Sequence, residues 1–230
     1  MRKKGAGNVE FILAFILFIS FTATALYFIN PIRDTKILQD SRDFVARAII
    51  RNVSVQLDSY SVVITAPKSE TALKVYIPGV AENENARVTD YYAIVIYSEK
   101  AGEDVCIQRQ NNENFSIIYF SEDIDGATAA SCSGSSEYQI ASSITERVLS
   151  EKRIVQLKDA YNSDYDLLRK SLGVPSGTDF SFSFEFPGGQ PIKAEKNAVI
   201  RGEVFSGTNA EEVLSMEGDL KFGDLTVRIW

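Results

Sequence analysis

The chain has 230 residues, with 24 Lys and Arg against 31 Asp and Glu and a formal net charge of −7. It has no histidine and only two cysteines, so no Ser-His-Asp or Cys-His arrangement and no cysteine-built zinc site can form within one chain. No enzyme, no cofactor and no metal site is expected. Arg2, Lys3 and Lys4 hold three of the 24 cations, leaving 21 against 31 beyond them; that acidity argues against a nucleic-acid partner and fits a soluble surface outside the cytoplasm.

Met1-Arg-Lys-Lys-Gly5 is a short basic stub, followed by Ala6-Gly-Asn-Val-Glu10 and an uncharged run from Phe11 to Ile32. The run is long enough to cross ~30 Å of hydrocarbon as a helix. The basic residues before it place the N-terminus in the cytoplasm and the rest outside. Glu10 sits at the mouth of this span. A carboxylate at the bilayer centre costs roughly 2.5–3.5 kcal/mol on insertion scales and less near the interface, so a partner for Glu10 is expected.

Three fates are open to the span. As a secretory signal peptide it would be cut at Ala23-Thr24-Ala25, but Glu10 interrupts the basic-to-apolar transition and the apolar run continues through Leu26-Tyr-Phe-Ile29. As a plain single-pass anchor it would keep Glu10 in the headgroup layer. The third fate rests on a resemblance. Lys4-Gly5-Ala6, with Glu10 fifth after Gly5 and an apolar run behind it, is similar to the leader of type IV prepilins, most closely the archaeal class III signal peptide. Many archaeal members carry a Gln-x-Ser run before the glutamate, where this chain has Ala6-Gly-Asn-Val. The resemblance implies cleavage between Gly5 and Ala6 by a prepilin peptidase, before the apolar segment. It also implies that Glu10, then the fifth residue, pairs with the new α-amine of a neighbouring subunit. Opposite charges in low dielectric would satisfy each other.

Beyond Pro31, which a membrane helix tolerates as a kink, Ile37-Leu38, Phe44-Val45 and Ala48-Ile49 repeat at helical spacing, with charges on the other faces. One long helix is therefore expected over residues 6–58, with the span at 11–32; Gly7 to Leu57 alone is ~75 Å.

Residues 59–230 read as an extracytoplasmic β-rich head. From Ser61 the period becomes two: Val62–Ile64, Leu73–Ile77, Tyr91–Tyr97, Val105–Gln108 and Phe115–Phe120 read as strands. Phe180-Ser-Phe-Ser-Phe-Glu-Phe186 alternates strictly, placing four phenylalanines on one face and Ser181, Ser183 and Glu185 on the other. Pro187–Pro191 is a turn; Ala198–Phe205 and Leu220–Trp230 are further strands. Between them Ile140, Ile144 and Val148 lie on one helical face, and Arg153–Leu157 is open to a strand reading. A short helix is expected over 163–172, capped by Ser163 with Asp166 as its box partner and stopped by Gly173 and Pro175. The stretch Tyr161–Pro175, with Asp179-Phe180 behind it, also resembles archaeal pilin-like chains. The fold class is α+β: a long N-terminal transmembrane and amphipathic helix, then a mostly antiparallel β-rich head with one or two short helices.

Cys106 and Cys132 favour one disulfide in an extracytoplasmic domain, worth roughly 3–4 kcal/mol on the chain-entropy model; two buried thiols are the alternative. Asn52-Val-Ser54 and Asn114-Phe-Ser116 are N-glycosylation acceptors. Asp123-Ile-Asp125-Gly126 has part of a calcium-loop pattern, but Cys132 falls where the bidentate acid belongs, so a solvated turn is expected. The resemblance implies a structural subunit: a pilin, minor pilin or pseudopilin of a surface filament with adhesive use. Its partners would be the peptidase, the membrane and other pilin-like subunits. The other function class is a membrane-anchored extracytoplasmic binding protein that does not polymerise.

Overall fold

A computed structural model describes residues 6–109, 114–126, 134, 136–196 and 203–230. Helix α1 spans Ala6–Val53, 48 residues or about 72 Å. It ends five residues before the expected boundary at 58. The reason is legible locally: Val53, Val55 and Leu57 are buried at alternate positions, a period of two that belongs to strand β1, Ser54–Ile64. The Ser54 hydroxyl donates to the Ile50 carbonyl at 2.6 Å, satisfying one acceptor of the last helical turn.

The head follows as β2 (Ala72–Tyr76), β3 (Asn85–Thr89), β4 (Val95–Ile96), β5 (Ser98–Ala101), β6 (Asp104–Gln108), β7 (Phe115–Ser121), β8 (Tyr138–Ser150), helices α2 (Glu151–Ser163) and α3 (Tyr165–Ser171), then β9 (Phe180–Glu185), β10 (Ile192–Ala194), β11 (Phe205–Leu214) and β12 (Leu220–Ile229). Nine strands form one sheet in the order β10-β9-β12-β11-β8-β1-β7-β3-β4, and β2-β6-β5 form a second. The pairings are antiparallel except β8 with β11, which touch in parallel only at Leu149 and Ser150. The α+β class holds: an apolar N-terminal helix, a large mostly antiparallel sheet and two short helices.

The large sheet is covered differently along its width. Its β9–β12 half carries the helices: Val45, Ile49 and Val53 of α1, Ile154, Leu157 and Tyr161 of α2, and Leu168 of α3 meet Phe180, Phe182, Phe184, Val227 and Ile229. Its β1–β7–β3 half packs on the small sheet, with Val62, Ile118 and Phe120 against Leu73, Val75 and Ile107. A smaller cluster of Val55, Leu57, Ile124, Val148 and Leu214 joins the two halves.

Several elements differ from their sequence reading. Ile140, Ile144 and Val148 lie on strand β8, because a spacing of four satisfies a period of two as well as a helix. Residues 139–147 of β8 are all exposed, so no in–out alternation marks the strand. Arg153–Leu157 lies in helix α2, whose N-cap is Ser150, accepting from the Arg153 amide at 3.3 Å. The cap of α3 is Asp164, one residue beyond Ser163, accepting from the Leu167 amide at 3.0 Å. Of Tyr91–Tyr97, only Val95 and Ile96 are strand; residues 91–94 form the turn between β3 and β4, and Tyr97 links β4 to β5. Of the expected strand Ala198–Phe205, residues 198–202 lie outside the described residues, and β11 begins at Phe205. The expected strand at Phe180–Phe186, by contrast, is β9, with Phe180, Phe182 and Phe184 fully buried against the helices.

Candidate functional site

The feature that sets this chain apart is the first half of α1. From Glu10 to Tyr27 its mean hydropathy is 1.9 and none of it is buried. Phe11 is 74 % exposed, Leu17 63 % and Tyr27 76 %. Eleven large apolar side chains of this segment stand open. At roughly 1.5–3 kcal/mol for each such side chain taken out of water, their sum is on the order of the whole stability of a domain, about 5–15 kcal/mol, or above it. A helix apolar on every face is stable only in an apolar surround. By length and composition the segment is long and apolar enough to cross a membrane.

Glu10 opens this segment on the exposed helix, and among the described residues none pairs with it. Of the expected cleavage pair, Ala6 is the first residue of α1 and Gly5 lies outside the described residues. The helix thus runs unbroken from Ala6 through Glu10.

Beside its buried stripe, three contacts among the described residues tie the second half of α1 and its end to the head. The Arg42 guanidinium donates from Nη1 to the Ser206 carbonyl at 2.8 Å. It lies over Gly207, where an added Cβ would stand 2.2 Å from it. The Phe44 ring rests on Gly173, where an added Cβ would be 2.8 Å away. Gly173 has φ +69 and closes α3: its amide donates to the Lys170 carbonyl and that of Val174 to the Arg169 carbonyl, at 3.1 and 3.0 Å, the Schellman pattern that glycine serves best. Third, Arg153 of α2 reaches the junction of α1 and β1, donating from Nη1 to the Ser54 carbonyl at 2.7 Å. It also pairs with Asp123 at 2.6 Å and with Glu122.

The helix layer contains one buried phenol, Tyr161, and one partly buried, Tyr165. Tyr161 donates to the Phe180 carbonyl at 2.7 Å, and burial pushes its pKa up to about 12. Tyr165 donates to Asp179 at 2.8 Å and accepts from the Phe180 amide at 3.1 Å; burial raises its pKa as well.

The remaining sequence candidates are scattered over the head. Cys106 lies mid-strand in β6, opposite Lys74 and Glu99, and is disulfide-bonded; Cys132 lies outside the described residues. Gly134 returns against the Ala72 carbonyl of the same small sheet. Asn52 is exposed at the rim of a cleft of about 880 Å³ lined also by Gln156, Leu157, Asp164 and Leu167. Asn114 is exposed and accepts from Arg109 through its side-chain oxygen. In both sequons the hydroxyl residue is folded in: Ser54 is tied to Ile50, and Ser116 is buried in β7. Asp123 and Asp125 are paired with Arg153 and Lys152, which gives these acids a structural use. Arg153 and Arg42 carry no motif in the sequence; only the folded chain brings them to their carbonyls.

Fold and site together define a chain with one N-terminal helix long and apolar enough to cross a membrane, carrying an α+β head. No protein-family model, no curated protein and no solved structure matches it.

Proposed function

We propose that the chain is a structural subunit of a type IV pilus-like filament, assembled through α1 after a prepilin peptidase removes Met1–Gly5. The observation that carries this reading is the open apolar half of α1, headed by Glu10 five residues after Gly5 and without a partner among the described residues. Before assembly, lipid covers that half. In the filament, the same halves of neighbouring copies cover one another, and the exchange costs little because lipid tails and apolar side chains are alike. Glu10 takes the α-amine of Ala6 in a neighbour, so that neither charge is buried alone. The N-terminus starts in the cytoplasm and the head, acidic and β-rich, faces outward on the filament surface. If the Asn52 and Asn114 sequons are used, the sugar is added before Ser54 bonds Ile50 and Ser116 is buried in β7.

The test is Glu10→Ala in the native cells, with surface filaments counted by electron microscopy and total protein by immunoblot. Loss of filaments with the protein still present in the membrane is the expected result. Normal filaments would remove the role given to Glu10. A wild-type protein that stays in the membrane and never enters a filament would make it an anchored binding protein.

A further inference from the structure

The turn between β3 and β4 presents an aromatic surface that neither the membrane helix nor the sheet packing uses. Tyr91 and Tyr92 are each 74 % exposed, and Ile94 and Tyr97 stand out beside them in sequence. The two rings meet edge to face, with centroids 5.4 Å apart and planes at 86°, and Tyr91 leans on Phe115 at 6.2 Å. Exposed apolar side chains clustered in one patch, unlike single ones, mark a surface that binds something.

The turn is built to hold those rings still. Asp90 is buried, and one carboxylate oxygen accepts from the amides of Tyr92 and Ile94 at 2.8 and 2.7 Å. The Asp90 amide donates to the Ile94 carbonyl at 2.9 Å. Ala93 is the one non-glycine residue with positive φ, +60, among the described residues. An alanine held there costs roughly 1 kcal/mol or more, a strain that tends to gather at working sites. The turn also lies far from α1. β1 leaves α1 at Ser54 and runs to Ile64, and Phe115 pairs with Val63. Tyr91 therefore sits about 30 Å along the sheet from the end of α1.

We infer that this turn is a binding platform for a neutral polysaccharide. Residues 91–98 carry no charge, and the chain's net charge of −7 repels polyanions, including nucleic acid and anionic lipid headgroups. Tyrosine, with an apolar body and a hydroxyl tip, matches a sugar ring, which has an apolar C–H face and a hydroxylated rim. A membrane-dipping loop would favour tryptophan and a basic flank, and this turn has neither. The inference stands whether or not the chain polymerises.

The test uses the full chain held in lipid nanodiscs, sedimented with insoluble cellulose, chitin and mannan, with empty nanodiscs as control. Wild-type protein is retained on at least one of the three. The pair Tyr91→Ala and Tyr92→Ala weakens that retention by about tenfold or more. The pair Tyr91→Phe and Tyr92→Phe, which keeps the rings, weakens it by no more than about threefold. Failure of wild type to bind any of the three, or equal retention of the alanine pair, overturns the proposal. Retention on sucrose-loaded phosphatidylcholine vesicles in place of the polysaccharides, lost in the alanine pair, also overturns it and makes the turn a membrane contact.

Discussion

The two halves of α1 are one continuous helix with opposite relations to the rest of the molecule. In the upper half, Val45, Ile49 and Val53 form a stripe buried against α2 and the sheet, while Arg47 and Arg51 face solvent. In the lower half every face is apolar and every face is open. A stripe specifies one internal partner. An all-round apolar surface needs an apolar surround and is indifferent to its identity. The helix therefore joins a part that folds the head to a part whose packing is supplied from outside the chain.

Matched truncations would break this contrast most directly. Ile49→Ala should cost about 2–5 kcal/mol of head stability, the usual range for emptying a packed site, read from chemical denaturation in detergent. Ile16→Ala should leave the same curve within about 0.5 kcal/mol, because Ile16 touches nothing that unfolds with the head. Equal effects at the two positions would erase the distinction. Next in size is Arg153→Ala, which removes the ion pairs to Asp123 and Glu122 and the bond to the Ser54 carbonyl. The half-buried setting puts its cost at about 2–3 kcal/mol, and a smaller loss would mean that the α1–β1 junction holds without it.

Alkaline unfolding sharpens the comparison from the helix layer. Tyr161 titrates near 10 when unfolded and at about 12 when folded. Its contribution is complete below pH 10 and is lost as the pH rises toward 12, by about 2 kcal/mol. Tyr161→Phe should flatten that part of the stability profile; an unchanged profile would place the loss elsewhere. The smallest effect, about 1–2 kcal/mol, is expected for Gly173→Ala, from the positive φ and the Phe44 ring together. Gly173→Ala combined with Phe44→Ala should recover the part due to the ring.

The sequence was most readable where one face of an element packs on an apolar layer. Phe180, Phe182 and Phe184 alternate because β9 has helices on one side, and Gly173 is a stop because the α3 terminus needs a left-handed residue. Reading failed where burial and pairing part company. β8 is held along one edge by β1 and exposed for nine residues, so Ile140 and Ile144 carried no face to read. At Tyr91–Tyr97 the β-prone aromatics lost to Asp90, whose side chain bonds the local amides and closes a turn. The end of α1 was misplaced because Val53 and Leu57, four apart, fit a helix stripe, and only buried Val55 between them, on the opposite helical face, marks the strand. The apolar half of α1 was fully legible, since no tertiary contact competes with its composition. Arg42 and Arg153 were not, because each acts on a carbonyl far away in sequence.

The central claim is that the lower half of α1 is kept and its leader removed, giving Glu10 a new α-amine to pair with. Intact mass of the protein purified from its native membrane tests this. The account predicts a chain beginning at Ala6. A chain beginning at Met1 would make the helix a plain anchor, and one beginning at Leu26 would make it a discarded signal; either would contradict the account.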